Sequence, residues 1–273
     1  MKKNNSVLLS TPYILWMIAF TLIPLGVVGY YALTDPATGE FTFHNIQSLN
    51  QYWGVLWESI LYSLISAFIC LLLGYPVAYY IAHCKPMTQK MLYMLVMLPM
   101  CMSFLLRTLA WVGLLQDTGI LNDFLEAVGI GRRQLIRTPG AVILGMVYNY
   151  LPYMILPLYS TIVKINPRLI EAAEDLGCNT FQVFRRVTLP LSVPGILSGI
   201  TMVFVPAVST FYISQKLGGI DTMLIGDVIE RQFKQAYNPN VGAALSLVLM
   251  ALVFVCTGIM NRLGGDEEGG VVV

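Results

Sequence analysis

Six stretches of this chain run for twenty or more residues with almost no charge, and no other feature limits its folding as strongly. Charge is absent from 12–33, 59–82, 138–163, 187–215 and 241–260, and 91–116 is interrupted only by Arg107. About 20 apolar residues carry a helix across the hydrocarbon core of a bilayer. A helix also satisfies its own backbone there, where lipid offers no hydrogen bonds. Composition agrees: 56% of the 273 residues are hydrophobic, 11% are charged, and the mean hydropathy is +0.69. A soluble domain carries about 25% charge. A soluble bundle with buried helices is the ordinary alternative, and six such runs set it aside. The chain reads as an all-α integral membrane protein with six transmembrane helices, near 12–33, 59–82, 91–115, 139–163, 190–215 and 241–261.

Lys2 and Lys3 precede the first run, as in a secretory signal, but the run is too long for one and no small-x-small cleavage site follows. It reads as an uncleaved first span. Those two lysines face a next loop, 34–58, with no Lys or Arg, which places the N-terminus in the cytoplasm. Six spans return the C-terminus to the same side. The cytoplasmic set is then Lys2, Lys3, Lys85, Lys90, Lys164, Arg168, Arg185, Arg186 and Arg262, against Arg132, Arg133, Arg137, Lys216, Arg231 and Lys234 outside. Cys70, Cys101 and Cys256 fall in spans, Cys84 and Cys178 face the cytoplasm, and no CxxC occurs. Neither a structural disulfide nor a metal site is expected. Residues 1–263 form the transmembrane domain in this reading, and 264–273 a flexible cytoplasmic tail.

The cytoplasmic loop 164–190 has the grammar of two short helices. Asn166 caps the first, Pro167 takes the first helical position, and Gly177 stands where a left-handed C-terminal residue belongs. Leu169, Ile170, Ala172, Ala173 and Leu176 supply the apolar contacts of that helix. Asn179 or Thr180 starts the second, in which Phe181, Phe184 and Val187 recur at helical spacing. A mere connector requires far less. The small alanines suit a helix that lies in another protein's groove.

Glu171-Ala172-Ala173, three residues, Gly177, nine residues, Val187, one residue and Leu189-Pro190 resembles the EAA loop of ABC importer permeases. The family usually has isoleucine where Val187 stands. Longer strings, "LLLGYPVAYYIAH", "YLPYMILPLYSTIVKINPRLIEAAEDLG" and "GGIDTMLIGDVIERQF", are similar to the PotB-type permeases of spermidine/putrescine importers. The resemblance implies a type I importer fold in a bacterial inner membrane. It implies a coupling helix, with Glu171, Ala172, Ala173, Gly177, Leu189 and Pro190, docking into a dimeric cytoplasmic ATPase. It also implies a second homologous permease and an extracytoplasmic binding protein that delivers a polyamine. Permeases for sulfate, molybdate and ferric ion share the fold and the loop, so they remain the alternative. A secondary transporter or channel working without an ATPase is the alternative from another class.

The chain has no P-loop and no Gly-Lys pair, so ATP and Mg²⁺ fall to the partner ATPase and no cofactor is expected in this chain. No HExxH, GxSxG or Ser/His/Asp grouping points to catalysis. Of two histidines, His44 reads as a solvated outer-loop residue and His83 as interfacial. No nucleic-acid partner is expected. Tyr148, Asn149, Tyr150 and Tyr212 lie beside prolines in the fourth and fifth runs, where polar groups at membrane depth face protein or a watery cavity. Interhelical hydrogen bonding is the equal alternative for each. In the outer segment 218–237, Asp221, Asp227 and Glu230 accompany an apolar helix face, and Asp227 and Glu230 share one side of it. Carboxylates near tyrosines suit a linear polycation. Neutralisation by Arg231 and Lys234 is the competing reading. For Arg107 three roles stand open: snorkelling, pairing with a carboxylate, or a direct part in transport.

Overall fold

Two of the six expected spans stop being single helices, at breaks that prolines accompany. The architecture is that of a computed structural model describing residues 12–35, 39–219, 222–236 and 238–264. Asp221, the tail from 265 onward and the side chain of His44 lie outside the described residues. Besides short turns, the helices are α1 (Pro12–Ala32), α2 (Trp53–Ala82), α3 (Pro86–Met97), α4 (Phe104–Leu115), α5 (Ile120–Ala127), α6 (Pro139–Ile162), α7 (Pro167–Asp175), α8 (Thr180–Val183), α9 (Leu189–Leu191), α10 (Val193–Val208), α11 (Tyr212–Leu217), α12 (Ile225–Lys234) and α13 (Pro239–Gly264). Among the described residues the only β interaction is an isolated bridge between Thr34 and Phe41.

Helices α1, α2, α6 and α13 are each long and apolar enough to cross a membrane. The expected third span is broken: Pro86–Cys101 and Phe104–Ala127 meet at 86°. Pro99 has no N–H to return to the preceding turn, and Met102 and Ser103 leave helical geometry with ψ of 149° and 128°. The expected fifth span is broken twice. Thr180–Leu191 meets Val193–Val208 at 62°, and residues 209–211 then separate α10 from α11. Pro190 and Pro194 flank the first break, and Pro206 precedes the second.

The described residues fall into two compact units, Met1–Gly54 with Val228–Leu252, and Val55–Asp227 with Val253–Val273. In the first unit two buried amides close the end of α1, where the last carbonyls lack helical partners. Asn45 Nδ2 donates to the carbonyls of Ala32 (3.2 Å) and Thr34 (2.9 Å), and Asn240 Nδ2 to those of Tyr31 (3.0 Å) and Thr34 (2.7 Å). The apolar side chains of α1 are exposed almost all round, as on a helix surrounded by lipid.

In the second unit α6 is the central helix, with Met146, Met154 and Leu158 fully buried. It lies close against α10 because glycines permit the approach. A Cβ on Gly195 would come within 2.8 Å of Thr161 Cβ and 3.0 Å of the Pro157 carbonyl. Polar contacts join α2 to α6 and α10: Ser66 Oγ donates to Met146 Sδ (3.4 Å), Cys70 Sγ to the Val147 carbonyl (3.7 Å), and Tyr75 OH bonds Ser192 Oγ (2.9 Å). Small residues and scattered polar bonds are how membrane helices associate, since lipid tails compete with apolar side chains.

Candidate functional site

The loop 164–190 is built by its caps. Asn166 Oδ1 accepts from the Arg168 amide (3.1 Å) with Pro167 at the first position of α7. At the other end Gly177 sits at φ +85°, its amide donating to Glu174 O (2.8 Å) while Cys178 N donates to Ala173 O (3.1 Å). That pair of bonds is the Schellman closure, which requires a left-handed residue at its turn. Asn179 and Gln182 form a reciprocal capping box at α8, with bonds of 2.8 and 2.9 Å. Continuation to α9 passes through a π-helical turn, Phe184–Thr188, ahead of Pro190.

Glu171, Ala172, Gly177 and Pro190 are exposed, and Ala173 and Leu189 half-buried. Leu176 is 86% exposed and Leu169 49%. This chain therefore leaves most of Leu176 and about half of Leu169 uncovered. The loop is held instead by its second half. The ring of Phe184 meets those of Tyr75 and Tyr79 edge-on at 5.6 and 5.9 Å, and Tyr79 lies against His83 at 4.2 Å. A cavity of about 490 Å³ beside this cluster is lined by Tyr75, Pro76, Tyr79, Thr180, Phe181 and Phe184. Sequence reasoning did not single out Tyr75 and Tyr79 as anchors. The signal was their spacing of four with His83, one face of a helix.

The other residues proposed from sequence divide. Tyr150 and Tyr212 line a single cavity of about 310 Å³, with Phe104, Leu105, Ser209, Thr210 and Phe211. It lies where the two broken spans interrupt, at 102–103 and 209–211. Tyr150 OH donates to the Pro206 carbonyl (3.3 Å), and Lys216 Nζ stands 5.8 Å from the centre of the Tyr212 ring. Tyr148 instead packs edge-on against Trp111 at 5.4 Å. Asn149 is 1% exposed, its Nδ2 donating to Gly145 O (2.9 Å) and its Oδ1 lacking a hydrogen-bond partner.

In the segment before the last span, Asp227 is buried and its Oδ2 accepts from the Leu224 amide (2.9 Å) at the start of α12. Glu230 accepts from Lys234 (2.6 Å), one turn on. Arg107 does not snorkel. It is 6% exposed, with Nε and Nη1 buried and without hydrogen-bond partners. Sequence left its environment open because only contacts distant along the chain settle it.

Residues 71–264 match the family described as binding-protein-dependent transport system inner membrane component. The chain is 41% identical over 260 residues to the spermidine/putrescine transport system permease protein PotB of Haemophilus influenzae, covering 91% of each. It is 38% identical over 243 residues to PotB of Escherichia coli K12, covering 86% of this chain and 88% of that protein. Among solved structures, it is similar to a chain of a bacterial ABC transporter that imports the acidic polysaccharide alginate, with TM-score 0.77, 21% identity and 97% of each chain covered. A chain of the MetNI methionine ABC transporter in an inward-facing conformation aligns with TM-score 0.61 and 18% identity, over 80% of this chain and 96% of that one.

Proposed function

The chain belongs to the binding-protein-dependent transport system inner membrane components and has the fold of an ABC importer permease, and from that premise we propose that it forms half of a polyamine pathway driven by a partner ATPase. The observation that carries the coupling half of this reading is the loop 164–190, whose capped helix α7 presents Leu169 and Leu176 outward. An ATPase surface would cover them. Through Phe184 and the Tyr75–Tyr79 face, movement of that loop is transmitted to α2 as a rigid body. The chain itself is non-catalytic in this reading. ATP and Mg²⁺ bind the dimeric ATPase, a second homologous permease completes the pathway, and an extracytoplasmic binding protein delivers the cargo. Both termini are cytoplasmic, in a bacterial inner membrane.

The polyamine assignment rests on the PotB relatives, which are spermidine/putrescine permeases by name. The chain offers aromatic faces for ammonium groups at Tyr148, Tyr150 and Tyr212, and the outer segment carries Asp221, Asp227 and Glu230, of which Asp227 is buried against the Leu224 amide and Glu230 is paired with Lys234. Asn149 supplies a buried amide at the same depth as the tyrosines beside it. The deciding measurement is substrate-stimulated ATPase activity of the reconstituted transporter, compared across spermidine, putrescine, sulfate and molybdate. Stimulation by the polyamines alone is expected. Stimulation by an oxyanion and not by polyamines would overturn the cargo assignment and leave the permease assignment standing.

A further inference from the structure

The cavity of about 490 Å³ beside Phe184 is built almost entirely of ring faces: Tyr75, Pro76 and Tyr79 from α2, and Phe181 and Phe184 with Thr180 from the loop. The Tyr75 hydroxyl is already bonded to Ser192 Oγ. Small-molecule sites usually enclose about 300–1,000 Å³, yet a polar solute would find little to bind in this one. Its depth is set by α2. Tyr79 stands three residues before the last residue of that span and Tyr75 seven, so the wall lies roughly 5–10 Å below the helix end at about 1.5 Å per residue. Tyrosines gather at this interfacial level of a bilayer.

Pro76 belongs to a second surface as well. Leu72, Pro76 and Tyr80 recur every four residues along α2, and all three are exposed. The cavity is therefore continuous with an apolar stripe that runs down the span toward the hydrocarbon core. A hydrocarbon chain can enter along it without leaving apolar surroundings. A polypeptide segment at that depth would bring backbone groups that lipid does not satisfy. The edge of the cavity is cationic. Phe181, Phe184 and Arg185 stand at spacings of three and four in the helical stretch Thr180–Leu191, so Arg185 lies on the side that walls the cavity. It is exposed, and among the described residues no ion pair includes it or Arg186. The loop's own carboxylates, Glu171, Glu174 and Asp175, are on α7 and pair with neither arginine. A guanidinium at the edge of an apolar hollow matches a phosphodiester above a hydrocarbon chain.

We propose that this cavity is a binding site for an anionic phospholipid, with one acyl chain filling the aromatic hollow and the phosphate meeting Arg185. An acyl chain gains little by exchanging lipid for an apolar cavity, so selectivity belongs to the headgroup. The lipid sits where the loop 164–190 meets the span. The site depends on the spanning position of α2 and not on which cargo passes.

The test uses the complete transporter in phosphatidylcholine nanodiscs that carry a trace of phosphatidylglycerol with a diazirine on one acyl chain. After irradiation the labelled peptides are mapped by mass spectrometry, with α1, exposed almost all round, as the internal reference for lipid that merely surrounds a span. Labelling above that reference is expected at 75–79 and 180–184, displaced by added phosphatidylglycerol and not by phosphatidylcholine. Arg185→Gln should lower it about fivefold, the effect of roughly one cation on an anionic lipid, and Arg185→Lys should lower it less. Arg186→Gln, on the next side of the helix, should also lower it less than Arg185→Gln. Four results overturn the proposal. The two segments take no label above the reference; photoreactive phosphatidylcholine labels them as well as phosphatidylglycerol does; Arg185→Gln leaves the labelling unchanged; or label appears only after the ATPase is stripped from the complex, which would give the cavity to that partner.

Discussion

At Gly177 the backbone has φ +85° and an added Cβ would meet nothing within 4 Å. Any penalty for a side chain there comes from the backbone alone. Gly177→Val should cost about 1–3 kcal/mol locally, enough to distort the Schellman turn without unfolding the spans. The variant is expected to insert normally while uptake and ATPase retention fall. Gly177→Asn, which tolerates the left-handed region, should keep most of both. Equal uptake by the valine variant and wild type would reduce the loop to a connector. Tyr212 poses a second question at this scale, because its ring carries the chain's own Lys216 ammonium at 5.8 Å. A face that holds an alkylammonium within the chain is suited to one in the cargo. A cation–π contact contributes about 0.5–2 kcal/mol, so Tyr212→Leu should raise the spermidine concentration needed for half-maximal ATPase stimulation by about 2- to 30-fold. Tyr212→Phe keeps the ring and should change it little. If the two variants behave alike, the ring does not meet the cargo.

Helix α10 approaches α6 at two glycines that differ in what a methyl group would meet. At Gly195 the obstacles are Thr161 Cβ at 2.8 Å and the Pro157 carbonyl at 3.0 Å, neither of which can swing away. At Gly199 the nearest atom is Met154 Sδ at 2.6 Å, the far part of a flexible side chain. Overpacking costs about 1–3 kcal/mol where neighbours cannot yield. Gly195→Ala is therefore expected to lower the Tm of the purified transporter clearly more than Gly199→Ala. Equal losses would mean that α10 shifts as a body at either point. The second half of the loop has its own element-level device in the Asn179–Gln182 capping box. Asn179→Ala should cost about 1 kcal/mol of local stability, read as faster amide exchange over 180–183.

At the scale of the whole molecule, orientation governs every role assigned above. In the proposed orientation, two lysines before the first span and none in the loop after it place the N-terminus inside. A single cysteine at Asn179, with native cysteines removed, should resist membrane-impermeant thiol reagents in intact cells and react in inverted vesicles. Labelling from outside would reverse the topology and remove the ATPase from reach of the loop.

The membrane class, the six apolar runs and the caps of the loop 164–190 were determined by sequence alone, because each depends on residues near one another in the chain. A hydrophobic run is contiguous, and the bonds of Asn166, Gly177 and Asn179 close over two to five residues. Tertiary structure decided the rest. Pro152 and Pro157 lie inside a continuous α6, and Pro76 inside α2, whereas Pro99 and Pro206 accompany breaks. The residue type is the same in both settings, so proline by itself does not mark where a helix is interrupted. The hold of Tyr75 and Tyr79 on Phe184 shows in the sequence only as a helix face shared with His83, and the closure of α1 by Asn240 from some two hundred positions away has no local signature at all. Nor does the burial of Arg107. A charge on an apolar helix reads the same from sequence whether lipid, water or protein surrounds it, and packing alone chose the last.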